Sequence, residues 1–191
     1  MGAQGFKKAK TKIPTQSPQK TRRRGSGNRS GVAQSEAGRL ADQLQRAFYG
    51  DAWHGPSLME LLEDVDAVTA AAKPLKNVHS IWELVLHIAA WDGAGLVRLG
   101  GKVCQLTGTK NFPLVATPTE AAWKKAVTQA KQTHNNLVET VAELDDKRLR
   151  DRVPGKRYDF YHMLHGIAQH ELYHAGQIAI LKKAGSIGLK T

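Results

Sequence analysis

From about residue 36 onward, apolar residues recur at intervals of three and four, which is the period of an amphipathic helix. The first such stretch ends at Gly50. Its apolar positions are Leu40, Leu44, Ala47 and Phe48. Turn-forming residues then predict a loop over 51–56, and Ser57 is expected to begin a short helix. The pattern therefore predicts one long helix, a loop and one short helix in this part of the chain.

A capping box marks the start of the next long helix. Ser80 is followed three residues later by Glu83, and this pair can satisfy two amides of the first helical turn. We expect the helix to run to about Leu99, where Gly100 ends it. Its predicted core stripe is Ile81, Leu84, Ile88 and Trp91, with His87 on the same side.

Two more long helices are predicted downstream. Thr117 is expected to cap the first of them, with Pro118 at its first position and Glu120 as the acid of a second capping box. His134 falls within its apolar seam, which comprises Trp123, Val127, Ala130, Leu137, Val141 and Leu144. The last helix should begin near Asp159 and stop before Gly185. Its predicted core seam is Met163, Ile167, His170, His174, Gln177 and Leu181.

Four main helices with modest connections, and no convincing strand, predict an all-α four-helix bundle. We expect this bundle to occupy residues 36–185, with a short C-terminal tail over 186–191. No apolar run approaches the ~20 residues that a membrane-spanning helix needs. The expected domain is therefore one globular bundle that does not insert into a membrane.

The excess positive charge lies at the N-terminus. Of the formal net charge of +11, residues 1–39 hold ten basic groups and one acid, which leaves 18 basic and 16 acidic groups elsewhere. Residues 1–35 combine these charges with Gly, Ser, Gln and Pro, a composition typical of disorder. We expect a disordered basic tail. Its run Arg22, Arg23 and Arg24 offers a possible non-specific attraction to nucleic acid, although a solvated tail is the simpler interpretation.

The pair His170 and His174 has the spacing of metal ligands, because residues four apart lie on the same face of a helix. With Glu171 the segment also spells the zinc-protease motif H-E-x-x-H. A zinc protease usually takes a third ligand from further along the chain, and no His, Asp, Glu or Cys follows His174. A metal at this pair must therefore be completed from an earlier helix.

His87 is the strongest candidate for the third ligand, since only apolar residues enclose it and nothing else explains an ionisable group there. Three histidines with a fourth position open would form a catalytic type of metal site. The alternative is that hydrogen bonds or buried water satisfy the histidines. His134 is a reserve ligand or pocket residue. The other candidates for the pocket are Trp53, His54 and Gln177.

The pairing of Glu83-Leu-Val-Leu-His87-Ile-Ala-Ala-Trp91 with His170-Glu-Leu-Tyr-His174-Ala-Gly-Gln177 resembles the DinB-like superfamily, including its DinB and YfiT branches. The resemblance implies an up-down-down-up four-helix bundle, commonly a homodimer. It also implies a divalent metal such as zinc or nickel, held through three histidines that match His87, His170 and His174. Similar members include transferases that use low-molecular-weight thiols and metal-dependent hydrolases. The basic tail lies outside the resemblance.

These observations favour a cytoplasmic metal-dependent enzyme with a small-molecule substrate, either a thiol-dependent transferase or a hydrolase. The single cysteine, Cys104, fits a reducing compartment because it allows no intramolecular disulfide. A second hypothesis is a non-catalytic bundle that binds a metal or small molecule in a stress response. A third is association with nucleic acid through the basic tail.

Overall fold

The computed structural model describes residues 35–115 and 117–188, with side chains described up to residue 185. The described residues contain six α-helices: α1 Glu36–Tyr49, α2 Leu58–Leu62, α3 Ala67–Ala71, α4 Ile81–Leu99, α5 Glu120–Ala142 and α6 Phe160–Gly188. Two short 3-10 helices, Gly108–Lys110 and Asp146–Arg150, lie in the connections. Within this part of the chain there is no strand, only an isolated bridge between Arg152 and Asp159. The predicted all-α class is confirmed, whereas the basic tail lies outside the described residues.

The four long helices contact one another in a closed ring. Both α1 and α4 pack against α5, and both also pack against α6. Helices α2 and α3 belong to the segment that connects α1 to α4, and they cover one end of the ring. None of the described helices is long and apolar enough to cross a lipid bilayer.

The core consists of two apolar clusters. The first contains Phe48, Trp82, Ile88, Trp123 and Ile178, and the second contains Leu44, Leu99, Leu137, Leu164 and Ile167. Along the chain, α4 and α5 pass from the first cluster to the second, whereas α1 and α6 pass from the second to the first. Most buried polar side chains of α4, α5 and α6 fall between the two clusters in sequence, and His87 lies directly before Ile88 of the first cluster. The bundle therefore has buried polar groups near the middle of its length, at positions that apolar residues occupy in most helix-bundle cores.

Local capping explains most helix boundaries. Ser80 and Glu83 form both hydrogen bonds of the predicted capping box at the start of α4. Helix α1 ends at Gly50, which has a φ of 146°, a conformation that side chains with a Cβ rarely adopt. Ser57 and Glu60 form a further capping box before α2.

Two predicted boundaries are wrong. Thr119, not Thr117, caps α5, because its hydroxyl accepts a hydrogen bond from the amide of Ala122. Glu120 is consequently the first helical residue, and its carboxylate instead accepts a hydrogen bond of 3.0 Å from the amide of Ala67 in α3. Helix α6 continues beyond Gly185 to Gly188. A glycine costs a helix only about 1 kcal/mol relative to alanine and does not end one by itself.

Candidate metal centre

Three imidazole rings from two helices converge at the middle of the bundle. His87 lies on α4, and His170 and His174 lie one turn apart on α6. The Nε2 atom of His170 is 3.0 Å from Nε2 of His87 and 3.1 Å from Nε2 of His174. These residues, the histidine trio, are the three that the sequence nominated as metal ligands, and one ligand atom from each lies within 4.8 Å of the others.

The outer nitrogens of two of these rings are held by hydrogen bonds. Nδ1–H of His87 donates to the backbone carbonyl of Asn111 at 2.6 Å. Nδ1–H of His174 donates to Oε1 of Gln177 at 2.7 Å. With the proton on Nδ1, the lone pair of Nε2 points towards the centre of the trio. Such outer partners fix the tautomer and orientation of metal-binding histidines.

The arrangement fits a metal ion better than hydrogen bonds among the rings. An imidazole nitrogen carries one in-plane proton or one in-plane lone pair, so Nε2 of His170 can form a hydrogen bond with only one of its two neighbours. Nδ1 of His170 is buried and has no hydrogen-bond partner among the described residues. Nitrogen ligands of a tetrahedral zinc ion stand about 3.3 Å apart, given Zn–N bonds of about 2.05 Å. The trio therefore has the donor set and almost the spacing of such a site.

Burial keeps the trio neutral. Together with smaller effects of the neighbouring His174 and His87, burial lowers the pKa of His170 to about 3. Burial also lowers the pKa of His87 and that of His174. Neutral imidazole is the form that binds a metal, so no proton has to leave these rings first at neutral pH.

The connection between α4 and α5 covers one side of the trio. Phe112 stacks on His87 with ring centroids 4.0 Å apart and on His79 with centroids 3.8 Å apart. The indole N–H of Trp91 donates to the side-chain oxygen of Asn111 at 3.0 Å. These contacts hold the loop against α4, and they place the Asn111 carbonyl where it orients His87.

Two cavities border the trio, each beside a different histidine. A cavity of about 210 Å³ is lined by His170 together with Trp91, Arg98, Tyr158, His162, Met163, Gly166 and Ile167. A cavity of about 430 Å³ is lined by His174 and Gln177, with Phe112, Tyr173 and several aliphatic residues. Gln177, a predicted pocket residue, thus orients His174 and lines this cavity. Space for small molecules is present at two places around the same three rings.

Trp53 and His54 lie elsewhere. Both side chains are exposed, and they line a depression formed with α1 and Leu172, which includes none of the trio. The structure therefore does not bring these two predicted pocket residues to the histidines, and their role in a pocket stays a prediction.

His134 belongs to a second buried cluster. Its Nδ1 lies 3.0 Å from Oδ2 of Asp92 and 3.1 Å from Oε1 of Glu171, and all three side chains are almost completely excluded from solvent. Phe48 stacks on the His134 ring at 3.9 Å. We call these residues the buried triad. Glu171 therefore faces away from the trio, and it cannot serve there as the general base of a zinc protease.

The charges of the buried triad cancel when His134 and Glu171 are both protonated and Asp92 is ionised. Burial tends to lower the pKa of His134, but the hydrogen bond to Asp92 and charge attraction from Asp92 and Glu171 outweigh burial and raise it to about 9. Burial and the nearby Asp92 raise the pKa of Glu171 well above its usual range. No described residue donates a hydrogen bond to either oxygen of Glu171. A protonated Glu171 can donate to Asp92 while His134 carries the positive charge.

The free energy of unfolding should fall as the pH rises from neutral to alkaline. The folded state holds a proton on His134 up to about pH 9, whereas an unfolded histidine releases it near 6.5, so the folded state binds more protons in this window. This stabilisation is complete below about pH 6.5 and is lost as the pH passes the folded pKa. Urea midpoints in chelator-containing buffers at several pH values check this. A His165→Gln variant should retain the fall, and a flat or rising profile in the unmodified chain would contradict it.

Sequence comparison agrees with this arrangement. The family model of the DinB superfamily matches residues 52–178, a segment that contains the histidine trio, the buried triad and Gln177. Searches of curated proteins and of solved structures gave no match. The matched segment covers well over half of the chain. The chain belongs to the DinB superfamily.

Proposed function

We propose that this protein is a metal-dependent enzyme that transfers a low-molecular-weight thiol to a small electrophilic substrate. The observation that carries the proposal is the convergence of three neutral imidazoles, in which Nε2 of His170 lies within hydrogen-bond distance of Nε2 of both His87 and His174. His87, His170 and His174 would hold one divalent ion such as zinc or nickel. When bound, the ion supplies a Lewis acid that lowers the pKa of the nucleophile and polarises the substrate.

The chain's own residues prepare this site in three ways. Asn111 and Gln177 orient two of the rings through their Nδ1 atoms. Burial keeps the rings unprotonated. The stacked Phe112 and the indole of Trp91 restrict access of water on the side of the loop. Together these features favour a site that binds small molecules next to the histidines.

The two cavities favour transfer over hydrolysis. Hydrolysis needs room for one organic substrate and a water molecule, whereas thiol transfer needs room for two organic molecules at the same centre. One cavity lies beside His170 and the other beside His174, so each of two substrates has its own approach to the trio. The larger cavity is lined mostly by apolar and aromatic side chains, as small-molecule sites usually are.

The non-catalytic alternative would be favoured by a closed metal shell, since a filled fourth position leaves no place for a substrate. His134 was the reserve ligand for that purpose, but its Nδ1 is engaged by Asp92, and it belongs to the buried triad instead. This placement argues against His134 as a fourth ligand. Association of the basic tail with nucleic acid concerns residues outside the described part of the chain, and it stays a prediction.

The remaining features of the proposal come from the superfamily. We propose the up-down-down-up order of its four long helices. Helices α1 and α6 run from the second core cluster to the first, and α4 and α5 run in the opposite direction, which supports this order. A homodimer and a cytoplasmic location are proposed on the resemblance and on the single cysteine alone.

Purified protein loaded with zinc or nickel should consume an electrophile such as 1-chloro-2,4-dinitrobenzene only when a small thiol is supplied. We expect the thioether product to form more than about tenfold faster than in the uncatalysed reaction, and chelation should return the rate to that background. The His170→Ala variant serves as the matched protein control. Turnover that is equally fast without thiol would favour hydrolysis, and no metal-dependent turnover of a panel of electrophiles and esters would favour the non-catalytic alternative.

A further inference from the structure

Arg98 is a buried cation that has no anionic partner among the described residues. Its side chain is only 2% exposed, in the last turn of α4. Its Nε–H and an Nη2–H both donate to the backbone carbonyl of Cys104, at 3.3 and 2.9 Å. None of the ion pairs among residues 35–115 and 117–188 includes Arg98. A neutral carbonyl does not cancel the charge, and burying an unpaired charge is costly.

The guanidinium of Arg98 borders the cavity beside His170. Arg98 lines that cavity, and the carbonyl of Cys104 uses only two of the five N–H groups of its guanidinium. Tyr158 and His162 add further polar groups to the lining. Gly166 of α6 also lines this cavity. A Cβ placed on Gly166 would meet no atom within 4 Å, so the cavity is open next to this residue.

Trp91 links the cation to the histidine trio. The guanidinium carbon of Arg98 lies 5.4 Å from the centre of the Trp91 ring, and the His170 ring lies 5.4 Å from the same indole. A molecule in this cavity can therefore contact Arg98 at one end while its other end lies beside His170. The volume of about 210 Å³ is below the roughly 300–1,000 Å³ of most ligand pockets, so the occupant is small or enters with one end only.

We propose that this cavity is a carboxylate-binding subsite, in which Arg98 binds the carboxylate of one of the two substrates. The planar fork of a guanidinium matches the two oxygens of a carboxylate, and an anion would neutralise the buried charge. Arg98 then acts as a specificity-determining residue, since it selects substrates that carry an anionic end at a fixed reach from the trio. The inference deepens the proposed function and rests on it for the identity of the second reactant, but the binding event itself needs no metal.

The subsite can be tested by binding alone. Succinate and its neutral counterpart succinamide would be titrated into ¹⁵N-labelled, metal-free protein while the indole N–H resonance of Trp91 is followed. We expect succinate to shift this resonance saturably and succinamide to leave it in place. An Arg98→Gln substitution should weaken succinate binding about tenfold or more, whereas Arg98→Lys should retain part of it.

Matched variants separate the subsite from its alternatives. Arg148 also donates to a backbone carbonyl, that of Leu99, and stacks on an aromatic ring, that of Phe160, but it does not line the cavity. Arg148→Gln should therefore leave succinate binding unchanged. Gly166→Leu should block binding while Arg98 stays in place, which guards against misfolding of the arginine variants.

Separate outcomes distinguish this proposal from the proposed function. Succinate binding that persists in His170→Ala, a variant expected to lose the metal, would support the subsite even if no enzymatic activity were found. Succinate binding that appears only with metal and is insensitive to Arg98→Gln would mean that the carboxylate binds the ion itself, and it would overturn the proposal. The absence of a saturable shift in the unmodified protein would also overturn it, and would leave Arg98 as a residue that fastens the loop at Cys104.

Discussion

Replacing His170 with alanine should abolish stoichiometric binding of a divalent metal ion. His170 is the central ring of the trio, because its Nε2 lies within 3.1 Å of Nε2 of both His87 and His174. Without it only two ligands remain, one on each helix. The loss of affinity should exceed the roughly 100-fold that removal of an outer partner can cost. Equilibrium dialysis against zinc, followed by elemental analysis, measures the effect directly.

Two further variants provide a scale for the zinc affinity of His170→Ala. Gln177→Leu removes only the acceptor for Nδ1–H of His174 and should weaken zinc binding by about 10- to 100-fold. His165→Ala removes an imidazole from the same helix that lies outside the trio, and it should leave zinc binding unchanged. If His170→Ala bound zinc as tightly as His165→Ala does, the trio would not be the metal site.

Replacing His134 with alanine should cost the fold about 3–5 kcal/mol of unfolding free energy, which is the typical penalty for removing one partner from a buried ion pair. Asp92 and Glu171 would then be left buried together without a cation. The ring of Phe48, which stacks on His134 at 3.9 Å, would also face a cavity. Chemical denaturation in the presence of chelator isolates this effect from metal binding.

Glu171→Gln is the matched substitution. The raised pKa of Glu171 means that its protonated form is favoured in the folded protein, and a glutamine preserves its shape and can donate to Asp92 as the protonated acid does. We expect this change to cost less than about 1 kcal/mol, because one neutral group that donates to Asp92 replaces another of the same shape. A cost for His134→Ala no larger than that for Glu171→Gln would show that the buried triad contributes little to stability.

Much of the fold follows from local sequence signals. The interval of apolar residues and the capping box of Ser80 and Glu83 predicted α1 and α4 almost to the residue. The start of α5 was misplaced because two threonines, Thr117 and Thr119, both had cap-forming side chains close to Glu120. The contact of Glu120 with α3 joins residues 53 positions apart and engages the acid that would complete a box with Thr117, and no local pattern contains it.

The trio could be anticipated for a different reason. His170 and His174 lie four residues apart in an apolar helix, and His87 lies among aliphatic neighbours. Ionisable residues are unusual at such core positions, so the sequence alone indicates a role for them. Asn111 and Phe112, in contrast, come from a connection without periodicity. Their contacts with His87 depend on how the loop folds back, and nothing in the sequence around them signals it.

Glu171 was missed because α6 has two buried faces. One face carries His170 and His174, and the other passes through Leu164, Ala168, Glu171, Ala175 and Ile178. The predicted core seam of α6 follows the first face only, and Glu171 is not part of it. A second series of small and apolar residues at the same interval is present, and it indicates that Glu171 occupies a core position.

The adjacency of the two polar clusters links stability to the proposed chemistry. Glu171 of the buried triad and His170 of the trio are consecutive residues of α6, so the contacts of Glu171 with α4 and α5 also fix the rotation of α6 about its axis. A core made only of apolar residues would tolerate small changes in that rotation. The buried triad thus helps to hold His170 and His174 towards α4, where His87 lies.

The central claim is that His87, His170 and His174 bind one divalent ion through their Nε2 atoms. X-ray absorption spectroscopy of the zinc-loaded protein tests it most directly, since it reports the number and type of ligand atoms. The account predicts one zinc ion per chain with about three imidazole nitrogens at about 2.0–2.1 Å and no sulfur ligand in the absence of added thiol. A spectrum dominated by carboxylate oxygens, or a protein that retains no zinc after dialysis, would contradict it.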